Sequence, residues 1–498
     1  MAMTTISLGE RAVVWLIATI GFESILYFAV WWLHPQHEKH LIFFIPLTFA
    51  VFWLLYEAAV YWFYQLNLKV PEYRPAREGL SVDVFTTAAQ GEPTEIFERC
   101  LPALAAITYP HTTYLLDGSG NPDLKVLAER LGARHVDCSN IGGAKAGKIN
   151  HALKQTSGDY VLVIDPDHIA QPHFLDRVLG HFDNDRVGFV QVVQAYYNQG
   201  NSFVARAAAE QSYGFYSPIL MGMNGYGSSL VIGANCTFRR KALESIGDHA
   251  VHLVEDFVTS IRLHARGWKS VYVPEILARG LVPEDLSSYF NQQLKWSTGM
   301  FQTLFTIMPK TIWHLRGWQK MCYLISSTYY AVGIAITINL ILPIVFLFLN
   351  LWAVQMPIGG FVWHLVPFLI IFVVFHRFSQ RWMRERSERG WQWRGMLLKL
   401  GTWPIYLLSL IFALTGVHVP YLPTSKTRQR GAFPLLVSPH LVICGLSIAA
   451  IIWALHSPLR DYSGTQLMML FAALNVVLML PTIAVAVVEM SRSGSIAP

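Results

Sequence analysis

Five short clusters of acidic, basic and aromatic side chains carry the chemistry legible in this 498-residue chain. Asp165 and Asp167, in Ile164-Asp165-Pro166-Asp167-His168, end an apolar run. Alternate residues of an extended strand point to one face, so the two carboxylates project together where the strand ends. Mg²⁺ is usually held by one or two carboxylates together with substrate phosphates. The pair is therefore a candidate seat for a nucleoside diphosphate and its metal, although many turns share the spacing. Asp117, in Leu116-Asp117-Gly118-Ser119-Gly120, follows another strand. It can accept hydrogen bonds from a base or a sugar, and it also reads as an ordinary Asp-Gly turn. Glu255-Asp256 opens a helix. Acidic residues there commonly cap the helix or meet its dipole; one can instead take a proton from a bound hydroxyl. Gly142–Asn150 is a glycine-rich basic turn entering a helix, whose N–H groups and Lys145 suit a phosphate. Its spacing is not that of a P-loop. Gln292-Gln293-Leu294-Lys295-Trp296 lies on a helix. Trp296 offers a flat face to a sugar ring or anchors a bilayer surface, and Lys295 supplies charge for a leaving diphosphate.

These clusters need a scaffold, and the stretch from about Val70 to Pro309 supplies it. Strands are expected at Val82–Thr87, Thr113–Asp117, Arg134–Asp137, Tyr160–Asp165, Gly188–Val193, Leu230–Phe238 and Ser270–Val273. Helices are expected at Glu95–Ala106, Pro122–Leu131, Lys145–Gln155, Pro172–Phe182, Asp256–Ala265 and Asp285–Phe305. The alternation implies an α/β domain with a mostly parallel sheet. Ligands of such sheets bind beyond the carboxyl ends of the strands.

The rest of the chain is lipid-compatible. Hydrophobic residues make up 53% and charged residues only 14%, against about 25% charged in soluble domains. That excludes a disordered protein, a coiled coil and a simple soluble enzyme. Spans need about 20 apolar residues, and six are expected, at Ala12–Leu33, Leu41–Tyr64, Ile336–Val354, Phe361–Phe375, Leu441–Leu455 and Leu467–Val488. The first two are long, with aromatic ends, and read as retained spans rather than a signal peptide. Leu400–Val417, with Pro404, is expected at the interface or half-inserted, and Tyr323–Val332 is similarly ambiguous. The expected division is 1–66 for two spans, 67–310 for the cytoplasmic domain and 311–498 for interfacial helices and the remaining spans. Arg377, Arg381, Arg384, Arg386, Arg389, Arg394 and Lys399 share one loop. Read as a topology signal in contact with lipid headgroups, they place both termini and the domain in the cytoplasm, at the plasma (inner) membrane. The net charge of +6 suits anionic lipid and phosphates, not nucleic acid. The five cysteines have no zinc-ligand spacing and form no disulfide framework.

Taken in order, these motifs resemble the processive family 2 membrane glycosyltransferases, most closely the bacterial cellulose synthase catalytic subunit and related β-glucan synthases. Ile164–His168 is similar to the Asp-Ala-Asp-His of the cellulose branch, Gln191–Asn198 to its aromatic segment, and Tyr421-Leu422-Pro423-Thr424-Ser425-Lys426 to its gating loop. The resemblance implies a GT-A-type domain between transmembrane helices. It also implies inverting transfer from a UDP-sugar, favouring UDP-glucose, to a growing β-linked polysaccharide that is exported through the spans. Thr87, Glu92 and Asp117 would contact the uridine and Lys145 the nucleotide side of the donor. Asp165 and Asp167 would hold the diphosphate and its Mg²⁺ or Mn²⁺. Asp256, beside Glu255, would be the general base. Gln292, Gln293 and Trp296 would form the acceptor site, Lys295 would face the pyrophosphate, and Tyr421, Thr424 and Lys426 would gate. Membrane lipids and accessory export subunits are the further partners implied.

The chain departs from the family pattern at Leu116, Lys148, Val254, Pro423 and Lys295, where the family commonly has Asp, Asn, Thr, Val and Arg. Lysine is a point charge without arginine's planar fork. With the last span running to Val488, the cyclic-di-GMP-binding domain of many relatives is not expected in this chain. Single transfer to a lipid acceptor is the alternative enzyme reading. A transporter with a regulatory domain is the alternative of another class, for which Glu23 and Glu57 inside the first two spans are the relevant residues.

Overall fold

In the computed structural model, residues 5–420, 433–458 and 462–494 are described. Among these described residues ten strands form: β1 (Val82–Ala88), β2 (Thr112–Asp117), β3 (Arg134–Asp137), β4 (Tyr160–Val163), β5 (Ile169–Ala170), β6 (Val187–Val192), β7 (Ala195–Tyr196), β8 (Cys236–Arg239), β9 (Lys269–Val273) and β10 (Ala278–Gly280). Seven of them make one sheet in the order β3-β2-β1-β4-β8-β6-β9. Its pairings are parallel except around β8, which runs antiparallel to both β4 and β6. Strands buried on both faces read as continuous apolar runs, and the period of two sorts them. Val84, Leu162 and Val190 enter one core, whereas Phe85, Val163 and Phe189 enter the other. Helices Thr94–Ala105, Pro122–Arg130, Ala144–Leu153 and Glu255–Ala265 follow the strands as expected.

Three features differ from the sequence expectation. Only the end of Leu230–Phe238 is a strand. Gly233 (φ +86°) and Asn235 (φ +57°) put left-handed backbone where a ladder needs extended residues. A second sheet, β5-β10-β7, has strands too short for period analysis to reveal. Helix Phe203–Gly214, continued by a π-turn over Phe215–Ile219 and by Leu220–Gly225, was also not expected. Pro218 within it has no N–H to give a regular helix.

Among the described residues, six helices are long and apolar enough to cross a membrane: Leu8–Trp32, Leu41–Gln65, Gln319–Leu349, Ile358–Trp382, Leu435–Leu455 and Ser463–Ser491. The ambiguous Tyr323–Val332 is thus the first half of the third. Trp393–Gly401 and Trp403–Thr415 meet at a 47° bend, the broken geometry suited to a half-inserted segment. Loops at the far ends of the spans meet one another. Glu38 bridges Val354, Gln355 N–H donates to the His37 carbonyl at 2.9 Å, and Trp352 packs edge-on against Tyr462.

Several cations of the arginine-rich loop pair with carboxylates elsewhere in the chain. Arg381 lies 3.6 Å from Glu10 and Lys399 2.8 Å from Glu57. Arg384 is buried against Glu388 and donates to the Gln194 carbonyl at 2.7 Å. Arg394 reaches Glu210 at 3.0 Å. Buried Glu210 also accepts the backbone N–H groups of Arg394 and Gly395 at 3.1 and 3.2 Å. The reading of this run as lipid contact is corrected to that extent: these cations clamp the loop to the α/β domain and the first two spans. Glu210→Ala removes one acceptor from several donors at once. It is expected to cost about 1–3 kcal/mol, visible as a lower unfolding temperature in detergent, whereas Arg377→Ala, for which no ion pair is found among the described residues, leaves it unchanged.

Candidate active site

The carboxyl ends of β1 and β4 and the N-terminus of helix Glu255–Ala265 converge on a cavity of about 720 Å³. Thr87 is the penultimate residue of β1, and Glu92 folds back so that its carboxylate accepts the Ala89 N–H at 2.8 Å. β4 runs out at Val163, and Asp165 to His168 turn across its end. Lys145, on the first turn of helix Ala144–Leu153, is hydrogen-bonded to Asp165 and donates to the Gly233 carbonyl at 2.7 Å. Asp167 is only 3% exposed, and its Oδ2 accepts the Leu281 N–H at 2.9 Å.

His168 was quoted in the motif without a role, and the structure gives it a place. Its ring is buried against Gly280, where a Cβ would come within 2.4 Å of it. Nδ1 lies 3.6 Å from Asp167 Oδ1. Neither ring nitrogen has a hydrogen-bond partner among the described residues. Buried polar atoms rarely go unsatisfied. One ligand atom each from Asp165, Asp167 and His168 lies within 4.8 Å of the others. Two carboxylates and an orphaned imidazole fit a divalent cation.

Glu255 and Asp256 form the second charged group. Burial raises the carboxyls of both above their ordinary range, and for Glu255 the neighbouring Asp256 charge raises it further. Lys145 and Lys295 pull in the opposite direction on each. Asp256 Oδ1 accepts the Phe257 N–H at 2.7 Å. Its other oxygen lies 3.5 Å from where a Cβ on Gly233 would sit. Gly233, with left-handed backbone (φ +86°) that a side chain would strain, lies beside Asp256 while its carbonyl holds Lys145.

Gln292, Gln293, Lys295 and Trp296, on helix Leu286–Gln302, line the same cavity. Gln293 is buried and accepts from Tyr406 at 3.5 Å, whereas Trp296 is 37% exposed. The cavity continues past Ser326, Tyr329 and Tyr330 toward Tyr64 of the second span.

Asp117 is not brought into this group. It does not line the cavity. Its carboxylate accepts from the Ser119 N–H and Oγ at 2.8 and 2.6 Å and pairs with His135 Nε2 at 3.0 Å. Lys148 lines the cavity near the same turn and donates to the Ala88 carbonyl. Gly118 makes room for it, because a Cβ there would fall 2.4 Å from the Lys148 Cε. Tyr421, Thr424 and Lys426 lie outside the described residues. Asp117→Ala is expected to cost about 1–3 kcal/mol, read as a fall in unfolding temperature, by releasing the Ser119 turn and His135.

Residues 81–299 match the family described as glycosyltransferase like family 2, and residues 244–436 match cellulose synthase. The cellulose synthase catalytic subunit [UDP-forming] of Komagataeibacter sucrofermentans is 34% identical over 278 residues, 54% of this chain and 37% of that one. The cellulose synthase 1 catalytic subunit [UDP-forming] of Komagataeibacter xylinus is 27% identical over 365 residues, 70% of this chain and 47% of its own. This chain therefore spans less than half the length of these curated relatives. Among solved structures, a mannosyltransferase from Pyrobaculum calidifontis in complex with GDP-Man and Mn²⁺ is 15% identical, covering 88% of this chain and 98% of its own at a TM-score of 0.40. Residues 81–299, which carry the mostly parallel sheet of an α/β domain, are thus similar to glycosyltransferase family 2, and residues 244–436, which run on into the membrane helices, are similar to cellulose synthase.

Proposed function

We propose that this protein is a processive, inverting glycosyltransferase. It extends a β-linked polysaccharide from a UDP-sugar, with UDP-glucose favoured, and passes the product through its own membrane helices. One observation carries the reading. The carboxylate–imidazole cluster, buried Glu255 with half-buried Asp256, and the Gln-Gln-x-x-Trp helix share a single cavity that continues between membrane helices. The UDP-forming names of the relatives support the donor class.

In this reading Thr87, Glu92 and Lys148 face the nucleoside end of the donor, with Asp117 shaping the turn behind them. Asp165, Asp167 and His168 would hold Mg²⁺ or Mn²⁺, which supplies positive charge to the diphosphate leaving group. Lys145 and Lys295 add charge on either side of it. Gln292, Gln293 and Trp296 hold the terminal sugar of the acceptor. Asp256 takes the proton from the acceptor hydroxyl as its oxygen bonds to the anomeric carbon and the bond to UDP breaks. One displacement inverts the configuration, and no protein nucleophile is needed. Buried donors and charges fixed before the reaction are worth far more than they are in water.

The division at 1–66, 67–310 and 311–498 and the gating role of Tyr421, Thr424 and Lys426 belong to the same proposal. So do the plasma-membrane location and the cytoplasmic side for the domain and both termini. The concentration of arginine and lysine on the domain side supports that orientation. Glu57, paired with Lys399, is accounted for by a structural contact rather than a transport path.

UDP release is measured first, with Mg²⁺ or Mn²⁺, across UDP-glucose, UDP-GlcNAc, UDP-glucuronate and GDP-mannose, and any polymer is digested with linkage-specific glycosidases. A high-mass glucan is the expected product; a single sugar on lipid overturns processivity. Asp256→Asn is expected to lower turnover about 100- to 10,000-fold, the range of a lost general base, with Mn²⁺ binding retained. A transporter would keep its activity. His168→Ala and Asp167→Asn are expected to weaken Mn²⁺ binding, read by electron paramagnetic resonance without substrate. Because burial raises Asp256, its ionised form is lost as pH falls through that raised value. The acid limb of kcat/KM is therefore expected above the region near pH 4 where an exposed aspartate titrates.

A further inference from the structure

We propose that Glu489, on the last membrane helix, is a positioning residue that anchors the first turn of the helix bearing Gln292, Gln293 and Trp296. The inference rests on the reading of that helix as the acceptor site.

A helix begins with N–H groups that have no partner within it. In helix Leu286–Gln302, Asp285 takes up the Ser288 N–H at 2.8 Å and the Ser288 hydroxyl at 2.9 Å. The Leu286 N–H is satisfied from 203 residues away. It donates toward both carboxylate oxygens of Glu489, at 3.3 and 3.2 Å. Leu286 is fully buried and Glu489 is 4% exposed, so water cannot replace the contact. A carboxylate at this end of a helix also meets the positive end of its dipole.

Packing makes this contact a link between two bodies. Ala486, one turn before Glu489, joins Val437 of the preceding membrane helix in a cluster with Leu286, Tyr289 and Phe290. Apolar packing resists separation but tolerates sliding. A directed hydrogen bond to one backbone N–H sets the helix along its axis. Gln292 and Gln293 lie about 10 Å further along, at 1.5 Å rise per residue. An axial slip of the helix would therefore be carried to the acceptor terminus and its distance from Asp256. Glu489 does not line the cavity, so its effect on the reaction is exerted through this helix.

The test compares Glu489→Ala, Glu489→Gln and Glu489→Asp in nanodiscs, by hydrogen–deuterium exchange and by kinetics. Glu489→Ala is expected to speed exchange at Leu286 to Ser288 roughly tenfold or more, the worth of one buried hydrogen bond. It is also expected to lower kcat and shorten the polymer, with donor KM unchanged. The glutamine oxygen still accepts, so Glu489→Gln is expected to restore slow exchange and most of the turnover. Unchanged exchange in both the alanine and the aspartate variants overturns the proposal. So does a loss of protection spread over the whole domain in all three, or a rise in donor KM that matches the fall in kcat. Exchange is read without turnover. A wild-type protein inert toward every UDP-sugar, with exchange that responds to Glu489, defeats the glycosyltransferase reading and leaves the anchor standing.

Discussion

Four carboxylates, Asp165, Asp167, Glu255 and Asp256, are drawn into the lining of one cavity, and much of the surrounding structure answers that charge. Desolvation disfavours ionised groups, so the cleft is tenable only with cations placed among them. Lys145 bonds Asp165 and the Gly233 carbonyl while acting electrostatically on both Glu255 and Asp256. Lys295 approaches the same pair from the opposite helix. The left-handed Gly233 lets one loop serve both ends of the network. The orphaned His168 ring and the carboxylates beside it are, among the described residues, the part of this balance suited to a further cation.

The same logic operates outside the cavity. Buried carboxylates and cations join segments far apart in sequence, where removing one partner leaves the other costly to bury. Arg384, Arg394 and Lys399 tie the loop after the fourth membrane helix to the α/β domain and to the second membrane helix. The membrane portion and the α/β domain thereby share polar contacts as well as apolar ones. A cavity that continues from one into the other requires such a fixed relation.

Two departures from the family pattern acquire physical content in the structure. Lys148 puts a cation among Thr87, Ala89 and Glu92 at the cavity edge, and Gly118 is the residue that makes space for it. Lys295, in place of arginine, is buried on helix Leu286–Gln302 and contributes a point charge rather than a two-pronged donor. The Asp117 turn shows the reverse. Its motif position suggested direct contact with a ligand or an ordinary Asp-Gly turn; it bonds Ser119 within that turn and also His135, a contact that no local spacing could reveal.

Periodicity and local chemistry settled much of this protein from its sequence. The six spans followed from runs of apolar residues, and most strands of the main sheet from apolar blocks bounded by turns, because burial in lipid or between two helical layers leaves a continuous hydrophobic mark. The Asp165–Asp167 spacing, the Glu255–Asp256 helix start and the Gln-Gln-x-x-Trp helix could be read for the same reason: each is a local pattern. Tertiary structure alone decided which of them share a cavity. It also turned the arginine run from a lipid contact into a clamp, broke Leu230–Phe238 into a left-handed loop, and brought Glu489 to the start of a helix 203 residues earlier. Hydrogen bonds and ion pairs between distant segments leave no periodic trace in either partner, so only the folded chain shows where a charge is spent.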